Sequence, residues 1–551
     1  MKSIFLFIFS LIFSNHLYSK SVSTPINDGD IGPLNPLHEI NENHIKVPDD
    51  MPTVNAALIR IKSGGVIEIT KNISENIKIN TTKAIKIRGT NQSVTVSYPT
   101  LEDAPFHIYQ TSGQIHISNL TIQGGIYGAL VLSRVPVTFS SVVITGANAG
   151  IVVNQQPGYE SKRTLIENST ITGNTLFGVL SRGSLVSISK SVLTNNGTNF
   201  EAILNSRIFL NESYFGPSTE AAFNAMISHS SLFVDRCLFP FSKGSGGMLL
   251  EDIADGSSIV NSNFQLNRGA GLILKNSYGV RITNTKFVAN HPRKHSDCKT
   301  GSPTPQSNDG TTTAPGLYVV SAQVLKNLKP GRKTAIPAGE ISNILICPPN
   351  QNMDIKGTGL VVTNSSHITI SNAEFSFNTE TGLFIENSAQ IFVKQSQGSY
   401  NANYAITSVN SKSFISQGLY ESNMGGAIRA YKGDISVTRS SLLSNLPFPD
   451  NRFGVGILTE DSVREMISNT ISQSGLTGIY LVDSVCFPAT NLRNNKITQS
   501  DFGIVWTCPT QNGISNNTYS AIKVENEFYY HGNYPKPSPP PVISEDYPPS
   551  S

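Results

Sequence analysis

The sequence predicts an all-β fold, a parallel β-helix solenoid with an N-terminal helical cap. Three observations carry that reading. Hydrophobic reference positions recur at Ile122, Ile144, Ile171, Leu193, Phe215, Phe239, Phe264 and Phe287, then through Phe375, Gly398, Tyr420, Leu442, Ile471 and Ile497, with steps of 22 to 29 residues inside each series. Five residues before each of these fourteen positions stands a second apolar residue, from Ile117 and Phe139 to Met466 and Leu492. Three residues after the reference, eight units hold an Asn: Asn174, Asn196, Asn267, Asn290, Asn378, Asn401, Asn423 and Asn445. A fixed period in this range marks a stacked repeat. A unit so short cannot bury its own apolar face. Stacked in register it can, each strand pairing in parallel with its copy one coil away.

Composition agrees. At 551 residues the chain exceeds one ordinary core, so it needs several domains or a solenoid. Charged residues make up 14% and the formal net charge is +3, which excludes an electrostatic nucleic-acid binder and a charged disordered chain. No nucleic-acid partner is expected.

Taken in chain order, residues 1–23 read as a signal peptide: Lys2, an apolar run from Ile4 to Phe13, then Ser19, Ser21 and Ser23. The run is far short of the roughly twenty residues that span a bilayer, so no transmembrane segment is expected, and the protein reads as secreted or periplasmic. Residues 24–46 read as a linker. From Pro48 the stretch PDDMPTVNAALIRIKSGGVIEI reads as a short amphipathic helix, with Asp50 as cap, Pro52 in the first turn and Gly64-Gly65 as the stop. The repeats fill residues 47–530. Within a unit such as HITISNAEFSFNTETGLFI, from His367, apolar and polar residues alternate over short runs divided by Asn, Ser, Thr and Gly, which is strand and turn chemistry. Aligned Asn side chains imply an amide ladder. Gly150, Gly271, Gly382, Gly478 and Gly503, each before an apolar pair, are expected to turn corners at positive φ. Between Phe287 and Phe375 the period breaks, leaving a turn insertion at about residues 290–356; its part from Leu317 to Ile346 is apolar enough for some strand. A smaller insertion, Pro447 to Phe453, leaves the same turn four coils later. Residues 531–551 read as a Pro-rich disordered tail.

This pattern resembles the right-handed parallel β-helix proteins of the pectin-lyase-like superfamily. The resemblance implies the fold and leaves the function open. The superfamily's enzymes act on acidic polysaccharides, but the motifs of the polygalacturonases and the Asp-Pro-His-Asp of the alginate epimerases are missing. Glu374 and Glu421 are the acidic residues beside the reference column, two coils apart and about 12 Å from each other by strand geometry. Paired-carboxylate glycoside hydrolysis wants about 5 to 9.5 Å. Glu374 also shares its column with Lys286, which makes an ion pair the plainer reading. His291, Arg293, Lys294, His295 and Asp297 open the long insertion, yet Pro292 argues against a metal-ligating helix, and no metal or cofactor is expected.

The function expected is therefore an exported β-helix that contacts carbohydrate or a cell-surface polymer, non-catalytic or with an unrecognised site. The alternative is a polysaccharide lyase or glycoside hydrolase acting on a uronate-containing polymer. A ligand is expected between the two insertions, on Glu380, Tyr400, Asn403, Tyr404 and Glu421, since sugar faces stack on aromatic rings and hydroxyls pair with amides. Five cysteines in an exported chain permit disulfides. Cys486 and Cys508 are 22 residues apart, one coil, and Cys298 and Cys347 bracket the insertion; Cys237, in an inward column, reads as a buried free thiol.

Overall fold

The computed structural model describes residues 41–529, apart from 101, 110–111, 133, 156–161, 220–222, 292–298, 302–316, 320–343, 348–356, 446–453, 483–489 and 508–512; of 299–301, 317–319, 344–347 and 528–529 it describes the backbone alone. The signal peptide, most of the linker, the tail, Cys298, Cys486 and Cys508 lie outside these residues.

Each coil contributes three short strands, for example Val137–Ser140, Val143–Thr145 and Ala149–Asn154, and each strand pairs in parallel with its equivalents one coil before and one coil after. These three strands define faces one, two and three of the tube. The reference residues of the sequence series all lie on face two, paired Ile122 to Ile144 to Ile171 and Phe264 to Phe287 to Phe375 in unbroken register. The strand before the insertion thus pairs directly with the strand after it. Among the described residues face two holds seventeen strands, three more than the fourteen units, so the tube is about 80 Å long at about 4.8 Å per rung. The additional rungs are Ile73–Ser74, Thr95–Tyr98 and Thr518–Ser520. The first two escape the period because Glu68 and Asn91, polar residues, stand five positions before Ile73 and Val96.

Inward columns fill the tube. Phe215, Phe239, Phe264, Phe287 and Phe375 are fully buried and stack ring on ring, with centroids 4.9, 4.8, 5.2 and 5.5 Å apart. The amide ladder is present: Asn378 Nδ2 donates to Asn401 Oδ1 (3.0 Å) and Asn401 Nδ2 to Asn423 Oδ1 (2.8 Å), and Asn290 is joined to Asn378 across 88 residues of sequence (3.0 Å). A column of serines at the corner between faces one and two works similarly, the N–H of Ser191 donating to Ser213 Oγ (3.1 Å) and that of Cys237 to Ser262 Oγ (3.2 Å). Cys237 stands in that column as a free, buried thiol whose pKa burial pushes up to about 12.

The glycines differ from expectation. Gly150, Gly271, Gly382, Gly478 and Gly503 do not have positive φ. They lie at the start of face three, where a Cβ on Gly271 would sit 2.5 Å from Gly359 O and 2.9 Å from Asn290 Nδ2, so what excludes a side chain is the backbone of the next coil together with its corner amide, or, at Gly478 and Gly503, with the side chain of Ile497 or Tyr519. The column is not glycine throughout. Asn199 and Asn224 occupy it opposite Ser218 and Ser242, two of the corners that lack Asn, where Asn224 Nδ2 donates to Pro240 O (2.8 Å), and Ala405 and Ala427 are the small residues that stand in it further along. The corners themselves turn on non-glycine residues with positive φ, such as Asn168, Asn261 and Asn372 after face one and Asn195, Leu266, Phe377 and Tyr400 after face two.

The helix also differs. It spans Val54–Arg60 and is capped by Thr53, whose hydroxyl accepts from Ala56 N–H (3.1 Å), while the Asp50 carboxylate accepts from Lys46 N–H (2.8 Å). His44–Val47, before it, already pairs with Val66–Ile69 in the sheet, so the helix interrupts the first coil and is not a separate terminal cap. Within the insertion, Lys299–Gly301, Leu317–Val319 and Ile344–Cys347 form a small antiparallel sheet.

Candidate functional site

Both insertions leave the corner that follows a face-two strand, Lys286–Val288 and Ser441–Leu443, four rungs or about 19 Å apart. The expected ligand residues fall on three different surfaces around that corner. Tyr400 sits on it with φ 57°, 41% exposed, its ring stacked on Phe377 at 5.1 Å. That φ belongs to the corner and not to this residue alone, since Phe241 and Leu266 hold 56° and 55° at the same place in earlier coils. Glu421 is on the outer side of face two, its carbonyl accepting from Tyr400 N–H (3.3 Å). Glu380 and Asn403 line the corner on successive rungs, linked by Asn403 N–H to Glu380 O (3.2 Å), and Glu380 is buried. Glu374 pairs with Lys286 (2.9 Å).

Tyr404 departs from the expected cleft. Its side chain is 6% exposed, packed with Val455, Leu458, Tyr480 and Val505, and burial pushes its pKa up to about 12. The reason is a property of face three. On this face the outward column runs Leu249, Ile273, Val361, Phe384, Thr407, Arg429, Leu458, Tyr480 and Val505 in register, and these residues are as buried as the inward ones. Arg429 lies within it at 3% exposure, donating from Nε (3.0 Å) and Nη2 (2.8 Å) to Glu460 Oε1, with its guanidinium 5.9 Å from the Tyr404 ring centre. No sequence signal singles out this pair. Arg429 and Glu460 are 31 residues apart and match no motif; only the register makes them diagonal neighbours.

The same column holds Glu201, between Leu180 and Met226, beside a small groove lined by Ile203, Met226, Leu249 and Glu251. Burial raises its pKa to about 7, opposed by the field of Arg182. A carboxyl whose folded pKa exceeds its unfolded one contributes most below pH 4.5 and loses that contribution as pH rises through 7. Glu201→Gln is therefore expected to raise stability at pH 8 by about 1–3 kcal/mol, the carboxylate edge still reaching solvent, and to change little at pH 4. Urea titrations at the two pH values check it; equal effects at both would remove Glu201 as the cause.

Face one is different again. Its outward column reads Phe209, Phe233, Ser258, Arg281, Thr369, Phe392 and Phe414, one residue per rung. Phe209 and Phe233 are 43% and 41% exposed, and Phe392 and Phe414 stack on each other at 5.0 Å. Lys394 Nζ and Lys412 Nζ lie 5.6 and 5.9 Å from those two ring centres. These are two aromatic pairs in one column, separated by Ser258, Arg281 and Thr369: Phe209 and Phe233 are exposed, Phe392 and Phe414 are half-buried with lysines at their edges, and the outward alternation of face one carries their sequence signal. Of the titratable cluster at the insertion, His291 is buried and its backbone pairs with that of Arg268 in an isolated parallel β-bridge, whereas Arg293, Lys294, His295 and Asp297 lie outside the described residues. Among the described residues no helix is long and apolar enough to cross a membrane.

Residues 354–526 match the family model described as a right handed beta helix region. No curated protein matches the chain by sequence. Solved structures similar to it include tailspike protein 3 of bacteriophage CBA120, at 9% identity and TM-score 0.33, over 79% of this chain and 56% of that one. The chain thus spans little more than half the length of that tailspike. A periplasmic alginate epimerase is similar at 9% identity and TM-score 0.33 (73% of this chain, 76% of that one), and the mannuronan C-5 epimerase A-module of Azotobacter vinelandii at 10% and 0.29 (81% and 91%).

Proposed function

Because the chain is a right-handed parallel β-helix repeat protein with the fold of the pectin-lyase-like superfamily, we propose that it is an exported solenoid that binds a glycan chain along its outer surface without cleaving it. The two outward aromatic pairs of face one support this reading most directly. The solvent-exposed rings of Phe209 and Phe233 call for a partner, and the half-buried rings of Phe392 and Phe414, each beside an ammonium, suit a sugar with its apolar face and its hydroxyl or carboxylate rim. Rungs about 4.8 Å apart are close to the advance of an extended pyranose chain laid parallel to the axis. Tyr400, Asn403, Glu380 and Glu421 form a second edge in this reading, and Tyr404 supports that edge from beneath.

Glycan-array retention and affinity gels test it. The double variant Phe392→Ala/Phe414→Ala is expected to weaken retention about 10- to 100-fold, at about 0.5–1.5 kcal/mol per stacked ring, with the far-ultraviolet circular dichroism unchanged. Tyr400→Ala with Glu421→Gln is expected to give a smaller loss. Retention unchanged in both would reject glycan binding on these surfaces, and new reducing ends or unsaturated products from any glycan would replace the non-cleaving reading by that of an enzyme. The pairs Cys486 with Cys508 and Cys298 with Cys347 belong to the same exported reading, and non-reducing peptide mapping decides them.

A further inference from the structure

The two ends of the tube differ, and the glycan-binding surface uses neither. At the N-terminal end the helix Val54–Arg60 packs beside the first strand of face three, Ile77–Ile79, with Val54, Ala57 and Leu58 buried. Glu75 accepts from the N–H groups of Val54 and Asn55 (both 2.8 Å), Asn55 Nδ2 donates to Asn76 O (2.7 Å), and Lys78 N–H donates to Asn55 Oδ1 (2.9 Å). The chain's own groups finish that edge. At the C-terminal end Ile514–Ser515, Thr518–Ser520 and Glu525–Tyr529 each pair with a strand of the coil before and, among the described residues, with none after. The apolar fill stops short as well. Ile514, Tyr519 and Ile522 are half-buried, Val524 is 64% exposed, and the inward column through Ile479 and Ile504 ends on Glu527, which accepts from Tyr519 Oη (2.6 Å). A solenoid end with open strand edges and uncovered apolar side chains is a surface for association.

Charge separates the ends too. Residues 41–90 hold eight Lys or Arg against five Asp or Glu, a net +3, whereas residues 499–529 hold one against three, a net −2. On the helix Ile59 is 60% exposed, and Arg60 next to it makes no ion pair among the described residues. Glu525, next to Val524, makes none either. We propose that the tubes associate head to tail, the C-terminal end of one copy docking on the N-terminal helix of a second, with Val524 against Ile59 and with Glu525 and Glu527 facing Arg60. The two surfaces in the contact are different, so every added copy leaves one end of each kind free and the assembly grows as an open file. Symmetric pairing of like ends would oppose +3 to +3 or −2 to −2, which selects against it.

Sedimentation velocity of the full chain at low salt, from about 1 to 100 μM, is expected to show a mean mass that rises with concentration past that of a dimer. Salt raised to about 1 M, where screening acts within about 3 Å, is expected to weaken the association at least about 10-fold. Ile59→Asp and Val524→Asp change exposed positions at opposite ends, and each variant alone is expected to be monomeric with unchanged far-ultraviolet circular dichroism. Mixed in equal amounts they are expected to form a one-to-one dimer and nothing larger, because only Val524 of the first variant and Ile59 of the second remain to meet. An unaltered protein that stays monomeric throughout, whether its end is bare or covered by residues 530–551, would overturn the proposal without recourse to any variant. A dimer that does not grow, association unchanged in either variant, or a mixture that stays monomeric would overturn it equally.

Discussion

Phe287→Ala is expected to lower the unfolding free energy by about 3–5 kcal/mol. The ring is fully buried and has a stacked neighbour on each side, Phe264 at 5.2 Å and Phe375 at 5.5 Å. Removing it leaves a cavity that the column cannot close, because every rung is held at the strand spacing by backbone hydrogen bonds. The position is also where the long insertion departs: Phe287 pairs with Phe375 in the strand register, so the packing of this one ring joins the coils before and after 88 residues of sequence. A solenoid couples each repeat only to its neighbours, so the loss should appear as a lower urea midpoint with early exposure of the coils around the insertion. Phe287→Leu, which keeps most of the volume, should cost much less. A loss below about 1 kcal/mol for the alanine variant would show that the column is not tightly packed there.

The second large effect is expected at Arg429. Arg429→Ala removes the two hydrogen bonds that Arg429 donates to Glu460 Oε1 under the cover of face three and should cost about 3–5 kcal/mol, whereas the double variant Arg429→Met/Glu460→Met, which takes both charges away while keeping volume, should recover most of that loss. A double-mutant cycle measured by denaturant unfolding checks the coupling. Two single variants that each cost little and simply add would mean that the pair is solvated. Lys286 and Glu374 supply the contrast, because that pair lies on the open side of face two, and its removal should cost no more than about 1 kcal/mol.

The coil is legible in the amino-acid order without any coordinates. Apolar residues five apart, repeated every 22 residues or so, define two strands of one face pair, and Asn three positions later defines the corner; each is a local signal that only a stacked parallel tube satisfies at once. The inward columns from Ile122 to Ile497 and the amide ladder are readable for that reason, as is the ion pair of Lys286 with Glu374, which needs only the coil length. The differences among the three outer surfaces are not readable in this way and arise from the folded tube. On face three a run such as Gly150-Ile151-Val152-Val153 is apolar on both sides of the strand, and no period can say whether the outward half meets water or other residues. The expectation of an open cleft at Tyr404 rests on that ambiguity, and the residue is enclosed beside Leu458 and Tyr480. Glycine's tolerance of positive φ points to corners, yet the contact that excludes side chains at Gly150, Gly271 and Gly382 comes from one coil away, beyond the reach of any local rule. Arg429 with Glu460, and the file of Phe209, Phe233, Phe392 and Phe414, depend likewise on which residue of one coil lies beside which residue of the next. Register across coils fixes those neighbours, and register is a property of the stacked tube, since a single coil has no partner against which to be aligned.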